Sequence, residues 1–412
     1  MVPFERMGAG KGEPAVEIRQ LGAEHFEERV ALRQFAFQFT LTQEQIEELR
    51  EGFRPEREWG VFEGGRLLAA MTLLPMEIWV HSRKMAMGGV ASVATWPEAR
   101  RKGCVAGLLR HGLETMRQAG QTVSMLHPFS FLFYRRYGWE MTIERKTYTL
   151  EPRHFPPRAE VPGRVERVAK DAGLLDDVYE AFASRYTGML VRTPEWWERR
   201  VFTKPGIAAV YYNGDGKPEG YLLYEVKDRT MTVHEWVSVS EEARLGLWRY
   251  AADHDSMADR LTMTVPADDP LPFLLPDPRI KQELQPYFMS RIVDVEGFVA
   301  QYPFEPGEGE DAVTLAVEDE HAPWNRGVYR LRIDAAGRAR AERMAEGWPA
   351  AAGDSADGAE LACDIQTLTA LLLGDRPASL LHETGRLRGD REAVRRLQRR
   401  IPRRTTYLAD FF

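Results

Sequence analysis

Residues 90–116 read VASVATWPEARRKGCVAGLLRHGLETM. The opening VASVAT is small, apolar and β-branched, which predicts a strand. Pro97 ends it, and Arg100, Arg101, Lys102 and Gly103 form a cationic turn. Val105, Leu108, Leu109, Leu113 and Met116 then recur at i, i+3, i+4 spacing, so a helix with one buried face is expected from about residue 101 to 119, stopped by Gly120. A strand that leads through a glycine turn into a helix aims several backbone N–H groups and the helix dipole at one point, a ready anion site. Gly103 allows close backbone approach, and Arg100 and Arg101 can add charge-assisted bonds to phosphate. On these residues alone, RRKG reads equally well as a solvated turn. Neither GxxxxGK[ST] nor GxGxxG is present, which excludes two other phosphate loops.

Upstream, EIRQLG reads as a short strand. HFEERVALRQFAFQ reads as a helix with Phe26, Val30, Phe35 and Phe37 near one face, and EWGVFEGGRLLAAMTLLPMEIWV as two strands turning at Gly64-Gly65. Downstream, TVSMLHP is a strand and FSFLFYRRYGWE a short helix entering a turn. A composition break at residues 151–163 precedes a fainter repeat of the same order, in which SEEARLG replaces the cationic glycine turn. A third segment mixes strands (VTLAVEDE, GVYRLRID) with helices. The expected class is α+β. The expected division is a disordered leader over 1–14 and domains over 15–152, 153–288 and 289–412.

The 412 residues carry a net charge of −7, which argues against nucleic acid as the main partner and is compatible with cationic ligands. Seven arginines between Arg391 and Arg404 are interrupted by Glu392 and read as a solvated helix or subunit contact. Cys104 and Cys363 form no CxxC, which excludes a zinc knuckle or disulfide framework and fits a reducing cytoplasm. No run of about 18 apolar residues is present, so no membrane span is expected.

VAT…PEARRKGCVAGLL resembles the acetyl-CoA motif of GCN5-related N-acetyltransferases (GNATs), [RQ]-x-x-G-x-[GA]. Arg100 and Gly103 match it, and Val105 departs from it. FYRRYGWE and the bare C-terminal phenylalanine are similar to the Eis (enhanced intracellular survival) branch. The resemblance implies tandem GNAT-like domains, the second degenerate, followed by a sterol-carrier-like α/β domain, with one active site per chain and a homohexameric assembly. It puts Val93, Ala94 and Thr95 on the strand that pairs with the pantetheine. Arg100, Arg101, Lys102, Gly103, Cys104, Val105 and Ala106 fall at the pyrophosphate, and Phe129 and Ser130 close over the co-substrate. Tyr134 matches the general acid, and the α-carboxylate of Phe412 the general base. The implied reaction is acetyl transfer from acetyl-CoA, without metal, to aminoglycosides or polyamines.

A tyrosine hydroxyl, with a reference pKa of about 10, can protonate a leaving thiol near 8.5. The apolar pair Phe411-Phe412 can draw the terminal carboxylate into a dry cleft, where it serves as a base or as an anionic site that orients the amine. Glu27 and Glu28 could line an amine pocket, although charges on a helix face are commonly just solvated. The alternatives are a non-catalytic CoA- or lipid-binding module and a protein lysine acetyltransferase.

Overall fold

A computed structural model describes residues 16–346 and 359–412, so the expected leader over 1–14 lies outside the described residues. The first unit contains β1 (Val16–Gln20), α1 (Phe26–Phe37), α2 (Gln43–Glu51), β2 (Glu58–Glu63), β3 (Arg66–Val80) and β4 (Arg83–Thr95). It continues through α3 (Cys104–Gln118), β5 (Val123–Leu126), α4 (Phe131–Arg135) and β6 (Glu140–Leu150). The second contains β7 (Arg164–Val168), α5 (Ala172–Ala183), β8 (Ile207–Tyr212), β9 (Pro218–Lys227) and β10 (Thr230–Ser238). A helix Glu241–Ala252 then leads to β11 (Arg260–Val265) and β12 (Lys281–Ile292).

These strands form one continuous twelve-stranded sheet in the order β1-β2-β3-β4-β5-β12-β6-β11-β10-β9-β8-β7. β12 slots between β5 and β6, and β6 pairs onward with β11. Each unit therefore closes its sheet with a strand from the other. The boundary expected between residues 288 and 289 falls inside β12, where hydrogen bonding to β5 and β6 runs straight through it. The third unit has a five-stranded sheet and packs on the first. One apolar core joins Met85, Met87, Val123 and Met125 to Phe298, Leu368, Leu408 and Phe412.

Local chemistry explains the elements. Gly64 and Gly65 take φ of 58° and 84°, the left-handed pair that a two-residue hairpin between β2 and β3 requires. α3 buries Leu108, Leu109, Leu113 and Met116, as the spacing predicts, while Val105 is half-buried and Cys104, at the first turn, is buried in its place. α1 departs from expectation. Phe26 and Val30 are buried, whereas Phe35 is 52% and Phe37 48% exposed, with Phe35 against Trp96 at 5.1 Å. The arginine-rich C-terminal helix is held by acids, Arg396 pairing with Glu360 and Arg400 with Asp311, and Arg403 just beyond it pairs with Asp375. Among the described residues no helix is long and apolar enough to cross a membrane.

His81, in the turn between β3 and β4, fastens three units together. Its Nε2 lies 2.9 Å from the Tyr302 hydroxyl and its Nδ1 3.4 Å from Thr187 Oγ1. Burial lowers its pKa from 6.5 to about 4. The unfolded chain binds this proton near pH 6.5 and the folded chain does not, so the contribution is complete above 6.5 and is lost as pH falls towards 4. It amounts to about 3 kcal/mol at most. Urea midpoints at pH 7 and pH 4.5 should therefore differ less in His81→Gln than in the parent protein; equal differences would refute the assignment.

Candidate active site

β4 pairs with β3 along its length but with β5 only from Met87 to Val90. Beyond that point the two strands separate. On β5 the cause is Pro128, which follows His127 and has no N–H to donate to a ladder. On β4 it is a bulge, since Ser92 and Val93 together oppose Met71, with Ser92 at φ 51°. Arg29 clamps the bulge from α1: its Nη2 donates to the Ser92 carbonyl at 3.1 Å and to Thr72 Oγ1 at 3.0 Å, and its Nε donates to Glu58 at 2.8 Å. Among the described residues, 91–95 thus present a backbone edge with no strand partner on the side away from β3, next to Thr95 Oγ1, which is buried without a hydrogen-bond partner there. Val93 and Thr95 are half-buried along this edge, and Ala94 turns its methyl into a core with Leu21 and Phe62.

The cationic turn follows. Arg101 sits at φ 66° and Gly103 at φ 81°, and α3 begins at Cys104 with no side chain capping its N-terminus. The first bond into the helix is Gly107 N–H to the Gly103 carbonyl at 2.9 Å, so the N–H groups of Cys104, Val105 and Ala106 are left pointing outward. A Cβ at Gly103 would meet open space within 4 Å, so glycine is needed here for its backbone angle. Arg100, Arg101 and Lys102 are exposed, and their side chains make no ion pair or hydrogen bond to other described residues. Val105, the departure from the motif, packs its side chain on the core beneath α3 and leaves its N–H at the helix end. Burial raises the Cys104 thiol above its ordinary range, and Sγ lies 3.8 Å from the Ala99 carbonyl, an inert packed cysteine. The free amides, the unpaired cations, the open strand edge and the orphaned hydroxyl fit a diphosphate joined to an amide-bearing chain.

Across the fork, Ser130 caps α4 by accepting from the Phe133 N–H at 3.3 Å, and Phe129 stands 70% exposed beside the opening. Tyr134, on α4, is 3% exposed and ringed by Phe129, Phe133 and Trp139. Burial pushes its hydroxyl well above the ordinary tyrosine range, which keeps it protonated.

The chain end arrives from the other side. Asp410 accepts from Arg192 and from Trp196 Nε1 at 2.8 Å, and its carbonyl accepts from the Tyr287 hydroxyl at 2.8 Å. Phe411 stacks on His127 at 4.9 Å. Phe412 is 6% exposed, 4.8 Å from Phe288, and a Cβ at Gly89 would lie 3.0 Å from its ring. Gly89 precedes Val90, the last β4 residue paired with β5, so the terminal residue sits where the strands part. Neither anticipated α1 acid joins it. Glu27 is two-thirds exposed and pairs with Arg50, and Glu28 is exposed. Arg29 and Arg33, which share the α1 face of Phe26 and Val30, are the inward charges, and that shared spacing was their signal in the sequence.

Residues 17–142 match an acetyltransferase (GNAT) domain, residues 188–292 a second domain of the same description, and residues 295–409 a sterol carrier protein domain. An uncharacterized N-acetyltransferase of Streptomyces avermitilis is 27% identical over 372 residues, covering 82% of this chain and 84% of that protein. A counterpart from Streptomyces griseus is 25% identical, covering 84% and 86%. A structure from Enterococcus faecalis, described as a probable N-acyltransferase, superposes with a TM-score of 0.87 at 29% identity over 96% of this chain and 99% of that one. Eis1 from Mycobacterium abscessus shares the fold, with a TM-score of 0.79 at 22% identity over 96% and 100%. With its open β4–β5 fork, its uncapped α3 and these matches along its length, the chain belongs to the GNAT acetyltransferase family, as an N-acetyltransferase with two such domains in tandem and a sterol-carrier domain behind them.

Proposed function

We propose that the chain transfers acetyl from acetyl-CoA directly to a primary amine in the first domain, in the manner of the Eis branch. The observation that carries this reading is Phe412, seated against Gly89 at the fork between β4 and β5. The turn from Arg100 to Gly103 and the N–H groups of Cys104, Val105 and Ala106 hold the diphosphate. The edge from Val93 to Thr95 pairs with the pantetheine amides, and a backbone N–H there steadies the charge that develops on the carbonyl oxygen. The thioester supplies an activated acetyl group. The Phe412 carboxylate orients the amine and takes up its proton, and Tyr134 protonates the departing sulfur.

The second domain does not repeat this cradle. Ser240 caps the helix Glu241–Ala252, accepting from the Ala243 N–H at 3.2 Å, and Glu241 and Glu242 fill its first turn with negative charge. An anion is repelled there, which supports one active site per chain. Among the described residues, the apolar cavity between Val295, Leu315, Leu331 and Leu368 measures about 20 Å³, too small for a lipid chain at that place. That is the scale of a single water.

Thiol release from acetyl-CoA with a panel of amines tests the reading. Tyr134→Phe keeps the ring packing and removes the proton, so kcat should fall on the order of 10²-fold with little change in KM for acetyl-CoA. An unchanged kcat would remove Tyr134 from the mechanism.

A further inference from the structure

A cavity of about 480 Å³ lies against the C-terminal tail. The tail residues Tyr407–Phe411 form one wall, and β6, β10, β11 and the segment around Arg199–Lys204 form the others. Its lining is cationic: Arg145, Arg199, Arg200 and Lys204 face it against one acid, Asp410, and His234, whose pKa burial lowers, lies beside them. Asp410 is already spent on Arg192 and Trp196, Arg199 is paired with Glu195 at 3.5 Å, and His234 lies 3.6 Å from Glu225. Arg145, Arg200 and Lys204 have no ion-pair partner among the described residues. The Arg145 guanidinium lies 4.4 Å from the Tyr287 ring centre, with its Nε buried and unpartnered, and Arg200 lies over Trp196 at 5.3 Å. Burial lowers the pKa of Arg200, as does the combination of burial and Arg145 for His127. Arg145 and Lys204 are half-buried, whereas Arg200 is exposed, and uncompensated cations held half-dry are costly unless a counter-charge arrives.

We infer that this cavity binds the far end of the acceptor, and that the acceptor is an amine carrying a carboxylate or phosphate rather than a polycation. The inference rests on the reading of Phe412 as the acceptor end of the site. Phe411 lines the cavity and Phe412 stands at the fork, so one residue of tail separates the two. An acceptor spanning them lays its ammonium at the terminal carboxylate and its oxyanion among Arg145, Arg200 and Lys204. Guanidinium forks suit such oxyanions. An aminoglycoside or polyamine would put like charge into the cavity, so the acceptor class expected from resemblance gives way to an anionic one.

The test uses the full chain and acetyl-CoA with matched acceptors of two to six carbons: ω-amino carboxylates, aminoalkyl phosphates, plain alkylamines, diamines and an aminoglycoside. Anionic amines should exceed alkylamines of equal length in kcat/KM by roughly 10-fold or more. The double variant Arg145→Gln/Lys204→Gln should bring that ratio near unity through KM, while Arg145→Lys, which keeps the charge, should largely preserve it. Comparing carboxylates with phosphates identifies the anion. Diamines or the aminoglycoside outperforming anionic amines, or a ratio unmoved in the double variant, overturns the inference while leaving acetyl transfer intact. Calorimetric binding of the same amines separates the two readings. Charge-dependent binding without turnover of any amine would sink the catalytic reading and keep the cavity, and absence of both would sink both.

Discussion

A chain ending at Phe411 should lose kcat by roughly 10²–10⁴-fold, the range associated with a positioned acid or base. The terminal carboxylate would retreat by one residue, about 3.5 Å, onto a residue whose side chain is 57% exposed and held by His127. That displacement takes the anion away from the fork. The ring would also leave its seat on Gly89 and Phe288, which complicates interpretation of the deletion alone. Two companion variants separate the causes. Adding two glycines after Phe412 keeps the ring and turns the carboxylate into an amide, so kcat should fall with little change in Tm. Phe412→Ala keeps the carboxylate and empties a core position, so Tm should fall, in line with a cost of about 3–5 kcal/mol for truncating a buried phenylalanine. Wild-type kcat in the extended chain would eliminate the carboxylate from the reaction.

The parts of this site that were readable in the sequence are those made by neighbours in the chain. VASVAT followed by RRKG is a strand, a turn and a helix within about 27 residues, and local propensity, glycine geometry and helical spacing all act at that range. The same holds for the Gly64-Gly65 hairpin and for the degenerate helix start at Ser240. What stayed hidden depends on pairing at long range. No local signal tells residues 281–292 to enter the sheet between β5 and β6, and the expected boundary at 288/289 missed the strand for that reason. Phe412 entered the site only through resemblance, because a terminal aromatic carries no spacing to read. Arg29 and Arg192 are ordinary surface residue types until partners tens to hundreds of positions away bury them. Glu27 and Glu28 drew attention for their sign of charge, whereas helical phase with Phe26 and Val30 favoured Arg29 and Arg33.

Arg192→Leu should destabilise the fold by about 3–5 kcal/mol at pH 7, because it strands two buried carboxylates. The Arg192 side chain has no exposed surface. It donates to both Glu235 oxygens, at 2.8 and 2.6 Å, and to Asp410 at 3.2 Å, with the Tyr179 ring stacked 3.8 Å away. Burial alone would raise the pKa of Glu235, but the Arg192 contact outweighs it and holds that carboxyl below its ordinary range. Without the guanidinium, burial of Glu235 is opposed, among the described residues, only by the Tyr221 hydroxyl and the positive charge of Lys204. The sign of the pH dependence follows. In the variant Glu235 becomes easier to protonate when folded than when unfolded, so the deficit should be largest near neutrality and shrink as pH falls towards and then below the usual glutamate value of 4.5. Asp410 also tethers the last two residues, so kcat should fall even at temperatures where the variant remains folded. The triple replacement Arg192→Leu/Glu235→Leu/Asp410→Leu removes all three charges and should recover much of the Tm while activity stays low, since apolar packing substitutes for a buried ion cluster but cannot place the chain end. Wild-type Tm in the single variant at pH 7, or recovery of activity with the triple, would mean that the tail is held at the fork by something other than this ion cluster.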